Sequence, residues 1–157
     1  MANQIPRAGS RVTLTYKLHP TLSAGLEYNP RADKVSPLSN WLAVEETLRR
    51  PALILGTSSD RIGTPSGQSF YATLSKNLKR ETRLPIAPYA GLAFGTYEDR
   101  LRAIGGVNIG FTERATALLI FDGVHLHPTF SYSRGRHVFS LLLIRGNDPG
   151  VSYSIAF

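Results

Sequence analysis

The chain has 157 residues, of which 18% are charged and 42% hydrophobic, and it carries a formal net charge of +7. Its length predicts one domain over residues 1–157, and its longest apolar runs of only a few residues exclude a protein that crosses a membrane with helices. The absence of cysteine excludes disulfides, thiolate nucleophiles and cysteine-ligated metals.

Apolar and polar residues alternate from near the N-terminus, first over residues 11–18. There Val12, Leu14 and Tyr16 share one face, whereas Thr13 and Thr15 share the other. Successive side chains of a strand point to opposite sides, so this segment predicts a strand with one apolar and one polar face. A second such strand is predicted over residues 22–28.

The alternation breaks at residues 39–49. Ser39 is a suitable N-cap and Pro51 a suitable stop, so we predict one short helix here. A strand is the alternative for this segment.

Alternation returns after residue 51 and continues to the C-terminus. We predict strands over residues 52–58, 67–76, 85–97, 101–112, 116–121, 124–132, 137–144 and 151–157, with a hairpin at Asp122-Gly123. The total is about ten strands, each of a length that can cross a bilayer at a tilt. An even number puts both chain ends on one side, where the first and last strands can pair and remove the sheet edge. The predicted fold is therefore an all-β, closed, antiparallel, up-and-down β-barrel.

Either face of such a barrel can be the inner one. A soluble barrel of the lipocalin type turns its apolar face inward, whereas a membrane barrel turns it to lipid. The strands hold few Lys and Glu residues, which favours lipid, and aromatic residues near strand ends suit the headgroup level of a bilayer. The predicted membrane-facing aromatic residues are Tyr16, Tyr28, Phe111, Tyr132, Tyr153 and Phe157. The predicted lumen-facing polar residues are Arg11, Lys17, Glu27, Arg102, Asn108, His125 and His127. Glycines share that polar face, at Gly25, Gly91, Gly95, Gly106 and Gly110.

The last eight residues, 150–157, end on Phe157 and place apolar side chains at Val151, Tyr153 and Ile155. This segment resembles the C-terminal strand of Gram-negative outer-membrane β-barrels. The resemblance implies a place in the cell outer membrane and recognition of the last strand by the barrel-assembly machinery. Residues 1–7 lack the apolar core of a signal peptide, which argues against export, and a mature form whose signal peptide had been removed would explain this.

Two groups of residues invite a chemical interpretation. His125 and His127 share a strand face near Asp122 and could hold a zinc ion, but no third ligand is fixed by spacing, so we predict no metal and no cofactor. Ser131, His127 and Glu27 could serve acyl transfer, but nothing in their spacing brings them together, so we predict no catalytic residues.

The basic balance has several possible partners, among them nucleic acid and anionic lipid. The segment with Lys76, Lys79, Arg80 and Arg83 could contact anionic headgroups or form a solvated loop. We predict no nucleic-acid binding, because the aromatic residues lie with the apolar face and not among the arginines.

The predicted function is a small outer-membrane β-barrel with a polar, largely filled lumen, in a structural or adhesive role or as a narrow passage for small solutes. The alternatives are an outer-membrane lipid-modifying enzyme and a soluble lipocalin-like barrel that binds an apolar ligand. The expected partners are membrane lipid or lipopolysaccharide and the assembly machinery, and the expected state is a monomer.

Overall fold

The computed structural model describes residues 9–157, and nearly all of them lie in strands or in the connections between strands. Eleven strands form one sheet whose spatial order is the chain order. They are β1 (Val12–His19), β2 (Leu22–Asn29), β3 (Lys34–Val44), β4 (Ala52–Ser59), β5 (Gln68–Ser75), β6 (Ile86–Gly95), β7 (Arg100–Gly110), β8 (Ala115–Phe121), β9 (Leu126–Arg134), β10 (His137–Ile144) and β11 (Asp148–Ile155). A four-residue helix, α1 (Lys79–Thr82), lies between β5 and β6. The prediction of an all-β, antiparallel, up-and-down fold is confirmed.

The helix predicted over residues 39–49 is wrong, because residues 34–44 form β3. Ser39 and Asn40 pair with residues of β2, and Leu42 pairs with Ile54 of β4. Two neighbouring strands thus supply β3 with ladder partners on both sides. That pairing outweighs a local helix signal that rested on one capping residue, since tertiary context overrides weak propensity.

The strand count is eleven, not about ten. In an antiparallel meander with an odd number of strands, β1 and β11 run in the same direction. The chain therefore enters and leaves the sheet at opposite strand ends, and the expectation that both ends share one side is wrong. The order of neighbours has two ends, β1 and β11, so an up-and-down sheet is what the described residues establish.

The chain divides into two compact units. The first comprises residues up to Ser75 together with Gly91–Ala103, and so contains β1 to β5 and adjoining parts of β6 and β7. Its strands pair in regular register, for example Leu14 with Leu26, with irregularities between Lys17 and His19 and between Leu42 and Val44.

The second unit comprises Lys76–Ala90 and Ile104–Phe157, and contains β8 to β11 with the remaining parts of β6 and β7. Gly135, with φ of 60°, lies in the tight turn between β9 and β10. The last strand begins at Asp148, earlier than predicted, and ends at Ile155, so Phe157 lies two residues beyond the strand and does not end it.

Candidate functional site

Burial in this sheet is inverted relative to a soluble domain. Among the described residues, 29 large hydrophobic residues are exposed, and Ala52 is the hydrophobic residue that is buried. The buried polar residues are Glu27, Asn29, Ser36, Asp60, Thr64, Ser69, Thr73 and His127. Soluble domains bury mainly apolar side chains, so the buried polar residues are the unusual feature of this sheet and the candidates for function.

The inversion follows directly from the strand alternation. On β2, Glu27 is 2% exposed and its neighbour Leu26 is 56% exposed, because the two side chains point to opposite faces. The same pattern recurs on β10, where Phe139 and Leu141 are exposed and Ser140 between them is half-buried.

Glu27 is the centre of a polar cluster in the first unit. Its Oε1 accepts hydrogen bonds from Nδ2 of Asn29 at 2.8 Å and from Oγ of Ser59 at 2.6 Å. Its Oε2 lies 3.4 Å from Nη1 of Arg11, which precedes β1. This carboxylate therefore ties β2 to the end of β4 and to the start of β1.

Asp60 follows β4 directly and is buried against backbone. Its Oδ1 accepts from the N–H of Arg61 at 2.7 Å, and its Oδ2 accepts from the N–H of Tyr97 at 3.0 Å. A Cβ at Gly95 would lie 2.5 Å from Oδ1, and one at Gly67 would lie 2.8 Å from Oδ2. Glycine at these two positions leaves room for the Asp60 carboxylate. Asp60 can therefore hydrogen-bond to both the β4–β5 and the β6–β7 connections and hold them together.

Glu98 lies in the β6–β7 connection between two arginines. Arg61 donates to its Oε1 and Arg102 donates to its Oε2. These hydrogen bonds lower the pKa of Glu98 to about 2, and the bond from Arg61 has the largest effect. The carboxylate stays ionised and neutralises part of the charge that Arg61 and Arg102 bring to this end of the strands.

In the second unit, His127 is held between two connections. Its Nδ1 accepts from the backbone N–H of Arg145 at 3.1 Å, and its Nε2 lies 3.0 Å from Oδ2 of Asp122. Since Nδ1 accepts, the proton lies on Nε2 and is donated to Asp122. Both nitrogens of the imidazole are therefore engaged.

Asp122 also shapes the β8–β9 connection. Its Oδ1 accepts from the backbone N–H groups of Val124 at 2.9 Å and His125 at 2.7 Å, which is an Asx-type turn. Burial raises the pKa of Asp122, but the hydrogen bonds from His127, His125 and Val124 outweigh burial, so the pKa is lowered.

Among the described residues, the structure places no third metal ligand beside His125 and His127. Their ring centroids lie 6.5 Å apart, and His127 has no free nitrogen. Within residues 9–157, no group of three or more His, Cys, Asp or Glu residues is arranged to hold a metal ion.

The residues considered for acyl transfer are engaged elsewhere. Oγ of Ser131 lies 2.8 Å from Oγ of Ser140, and His127 lies four positions away on the same strand, roughly 13 Å along an extended chain. An open cavity of about 490 Å³ on the first unit is lined by Thr15, Lys17 and Ser23 among others, but its lining includes no histidine or carboxylate. Neither place combines a nucleophile with a base.

The predicted lumen-facing residues differ in burial. Glu27 and His127 are buried, Arg102 and His125 are half-buried, and the exposed members are Arg11, Lys17 and Asn108. All of the predicted membrane-facing aromatic residues are exposed: Tyr16, Tyr28, Phe111, Tyr132, Tyr153 and Phe157. What either set faces stays a prediction.

Sequence reasoning missed several members of the polar clusters. Asn29 carries a usable signal, because it lies two positions after Glu27 and so shares its face. Asp60, Arg61 and Glu98 lie in the connections between predicted strands, where the alternation gives no signal for burial. Their pairing joins residues 37 positions apart, and no local pattern predicts it.

None of the helices in the described part of the chain is long and apolar enough to span a membrane. No family model matches this chain, and no match was found among curated proteins or among solved structures. The chain's own residues are therefore the basis for any functional inference.

Proposed function

We propose that this protein is a small outer-membrane β-barrel, closed by pairing of β1 with β11, with a polar and largely filled lumen and a structural or adhesive role. The observation that carries the proposal is the inverted burial. Carboxylates, amides and hydroxyls are buried, and 29 large hydrophobic residues are exposed.

The free-energy cost of apolar surface in water supports lipid contact for the exposed face of the sheet. Each Å² of apolar surface left in water costs about 25 cal/mol, so strands with exposed leucine, phenylalanine and tyrosine at every second position are unfavourable in water. Against hydrocarbon that cost disappears, and the sheet satisfies its own backbone groups as a bilayer requires. A soluble carrier would need the opposite burial, with apolar side chains around its ligand.

Close approaches between neighbouring strands support closure of the sheet. A Cβ at Gly25 would lie 2.0 Å from the backbone oxygen of Leu14, and one at Gly106 would lie 2.1 Å from that of Leu119. Neighbouring strands approach so closely at these points that only glycine fits. Glycine kinks together with bulges, such as the register shift between Lys17 and His19, are the devices that curve sheets into barrels.

An odd number of strands is compatible with closure, although it changes the seam. Bacterial single-chain barrels have even numbers, whereas an odd-stranded mitochondrial barrel is known. Because β1 and β11 run in the same direction, their pairing here would be parallel. This seam distinguishes the proposed barrel from the even-stranded pattern that the C-terminal segment suggested.

The clusters around Glu27, Asp60 and Glu98 support a filled lumen. They tie together neighbouring strands and connections at one set of strand ends, where a wide pore would need open space. A structural or adhesive role therefore fits these residues better than passage of large solutes. In planar bilayers we expect little or no stable conductance, and a large, permanently open pore would overturn this role.

Trp41 provides a direct test of the membrane assignment. It is the chain's one tryptophan, it lies on β3, and it is 48% exposed among other apolar side chains. In phosphatidylcholine vesicles with brominated acyl chains, we expect its emission to be blue-shifted and strongly quenched.

The matched control moves the reporter to a polar connection. In the variant Trp41→Phe combined with Glu113→Trp, the tryptophan lies between β7 and β8, and we expect clearly weaker quenching. Equal quenching of both proteins, or a monomer that stays soluble at high concentration without detergent and ignores the vesicles, would contradict the proposal.

A further inference from the structure

Three connections of the second unit lie side by side. The N–H of Gly110 donates to the oxygen of Pro85 at 2.8 Å, which joins the β5–β6 connection to the end of β7. The N–H of Ser133 donates to the oxygen of Arg114 at 2.8 Å, and that of Ala156 donates to Arg136 at 2.9 Å. The β5–β6, β7–β8 and β9–β10 connections and the end of β11 therefore form one continuous row.

This row is strongly basic. Its exposed basic residues, which we name the basic rim, are Lys79, Arg80, Arg83, Arg114, Arg134 and Arg136. Together with the exposed acidic residues Glu81 and Glu113, these six residues carry a net formal charge of +4. Within residues 9–157, the ion pairs found involve none of the six.

The other strand ends of the same unit are different. The β8–β9 and β10–β11 connections hold one acidic residue, Asp122, and one basic residue, Arg145, and so have no net charge. In the first unit, Arg61 and Arg102 share the carboxylate of Glu98, which neutralises part of their charge. Within the second unit, the excess of positive charge therefore lies at one set of strand ends.

Exposed apolar and aromatic side chains lie directly beside the rim. Leu84 follows Arg83, Phe111 begins the connection that contains Arg114, and Tyr132 precedes Arg134 by two residues, and all three are exposed. The Tyr153 ring lies 5.2 Å from that of Phe139, and its hydroxyl lies 2.8 Å from Nδ1 of His137. Aromatic rings next to arginines form the arrangement that suits the boundary between hydrocarbon and headgroups.

We propose that the basic rim binds phosphate groups of an anionic lipid surface and so fixes which end of the second unit lies at the anionic leaflet. The inference rests on the proposed function, because it places the outer face in a membrane. Guanidinium groups bind phosphate oxygens in bidentate fashion, and their spacing along a row fits many headgroups and not one enclosed ligand. The rings face outward with the apolar strand residues and do not alternate with the arginines, which disfavours nucleic acid.

The test compares two variants with equal loss of charge. One is Arg114→Gln with Arg134→Gln and Arg136→Gln. The control is Arg31→Gln with Lys34→Gln and Arg100→Gln, which removes three exposed charges from the first unit, outside the basic rim. All three proteins are inserted into phosphatidylcholine vesicles, and their association with spin-labelled phosphatidylglycerol relative to spin-labelled phosphatidylcholine is measured.

We expect the wild type to prefer phosphatidylglycerol and the rim variant to lose up to about 5-fold of that preference for each arginine removed, since each basic residue near an anionic surface contributes about 1 kcal/mol. The control should keep it. An equal loss in both variants, or no preference in the wild type, would overturn the proposal that the basic rim binds lipid phosphate. Loss of the preference in excess inorganic phosphate would reassign the rim to free anions, and displacement of lipid by a single-stranded oligonucleotide would reassign it to nucleic acid. Failure to insert into pure phosphatidylcholine would instead contradict the proposed function itself.

Discussion

The buried carboxylates of this protein each have several hydrogen-bond donors. Glu27 accepts from Asn29, Ser59 and Arg11, and Asp60 accepts from two backbone N–H groups. An ionised carboxylate without such partners is very unfavourable away from water, so the donors are a condition for a polar interior. At the scale of single residues, the buried carboxylates are therefore held in local clusters of donors, although Oδ1 of Asn29 in the Glu27 cluster has no hydrogen-bond partner among the described residues.

Replacing Glu27 tests how much such a cluster stabilises the fold. Glu27→Gln puts an amide where three donors need an acceptor, so we expect the free energy of unfolding to fall by about 1–3 kcal/mol. The measurement is urea unfolding in detergent micelles, followed by Trp41 fluorescence. Glu113→Gln, in an exposed turn, is the control and should change stability by less than about 0.5 kcal/mol. Similar effects of the two substitutions would show that the cluster adds nothing to stability.

Glu98 predicts an acid-sensitive contribution to stability. Its pKa in the folded protein, about 2, is below the ordinary value of 4.5, so its contribution is complete above 4.5 and is lost as pH falls through that window. Unfolding midpoints measured across this range should therefore decrease less with acidification in Glu98→Gln than in the wild type. Part of the decrease should remain, because the pKa of Asp122 is lowered as well. Parallel pH profiles of the two proteins would contradict the role of Arg61 and Arg102.

At the scale of elements, β3 and the glycine positions show what pairing imposes on the sequence. Residues 39–44 carry a plausible helix start, yet they form a strand because β2 and β4 provide partners on both sides. At Gly91, a Cβ would lie 2.0 Å from the oxygen of Ala72 and 2.7 Å from the Cα of Thr73, both backbone atoms of β5. The close approach of neighbouring strands thus restricts the residue type.

Gly91→Ala tests this close approach. Backbone atoms cannot rotate away as a side chain can, so we expect a loss of about 1–3 kcal/mol in the free energy of unfolding or a failure to fold. Gly150→Ala is the matched control on β11, since the nearest atom to its Cβ is 3.7 Å away on the Ile144 side chain. We expect that variant to fold with nearly unchanged stability. Equal tolerance of alanine at both positions would show that the strands can separate at Gly91 without cost.

At the scale of the whole molecule, the proposed closure of the sheet would pair β1 with β11, the two ends of the strand order. Closure predicts that outward-facing residues of the two strands lie side by side. The chain has no cysteine, so a disulfide between two introduced cysteines can be detected without interference from native thiols. Leu14→Cys combined in turn with Val151→Cys, Tyr153→Cys or Ile155→Cys should give an intramolecular disulfide in one register, because bridged residues need a Cα separation of about 4.4–6.8 Å.

The control pair is Leu14→Cys with Leu74→Cys, since β1 and β5 are four strands apart in the sheet order. Oxidation in vesicles followed by gel mobility and mass spectrometry distinguishes intramolecular from intermolecular bridges. Dimers alone, or no bridge in any register, would mean that the two edge strands do not meet within one chain.

The amino-acid sequence by itself determined the antiparallel meander and the two-faced character of its strands. Period-two alternation and turn residues such as Asp122-Gly123 are local, so they can be read without knowing any partner. Only the tertiary structure decided that residues 34–44 form a strand, that the count is odd, and that Glu27 meets Ser59 and Asp60 meets Tyr97. Those outcomes depend on the register between strands distant in the chain, and register is set by the whole set of pairings at once.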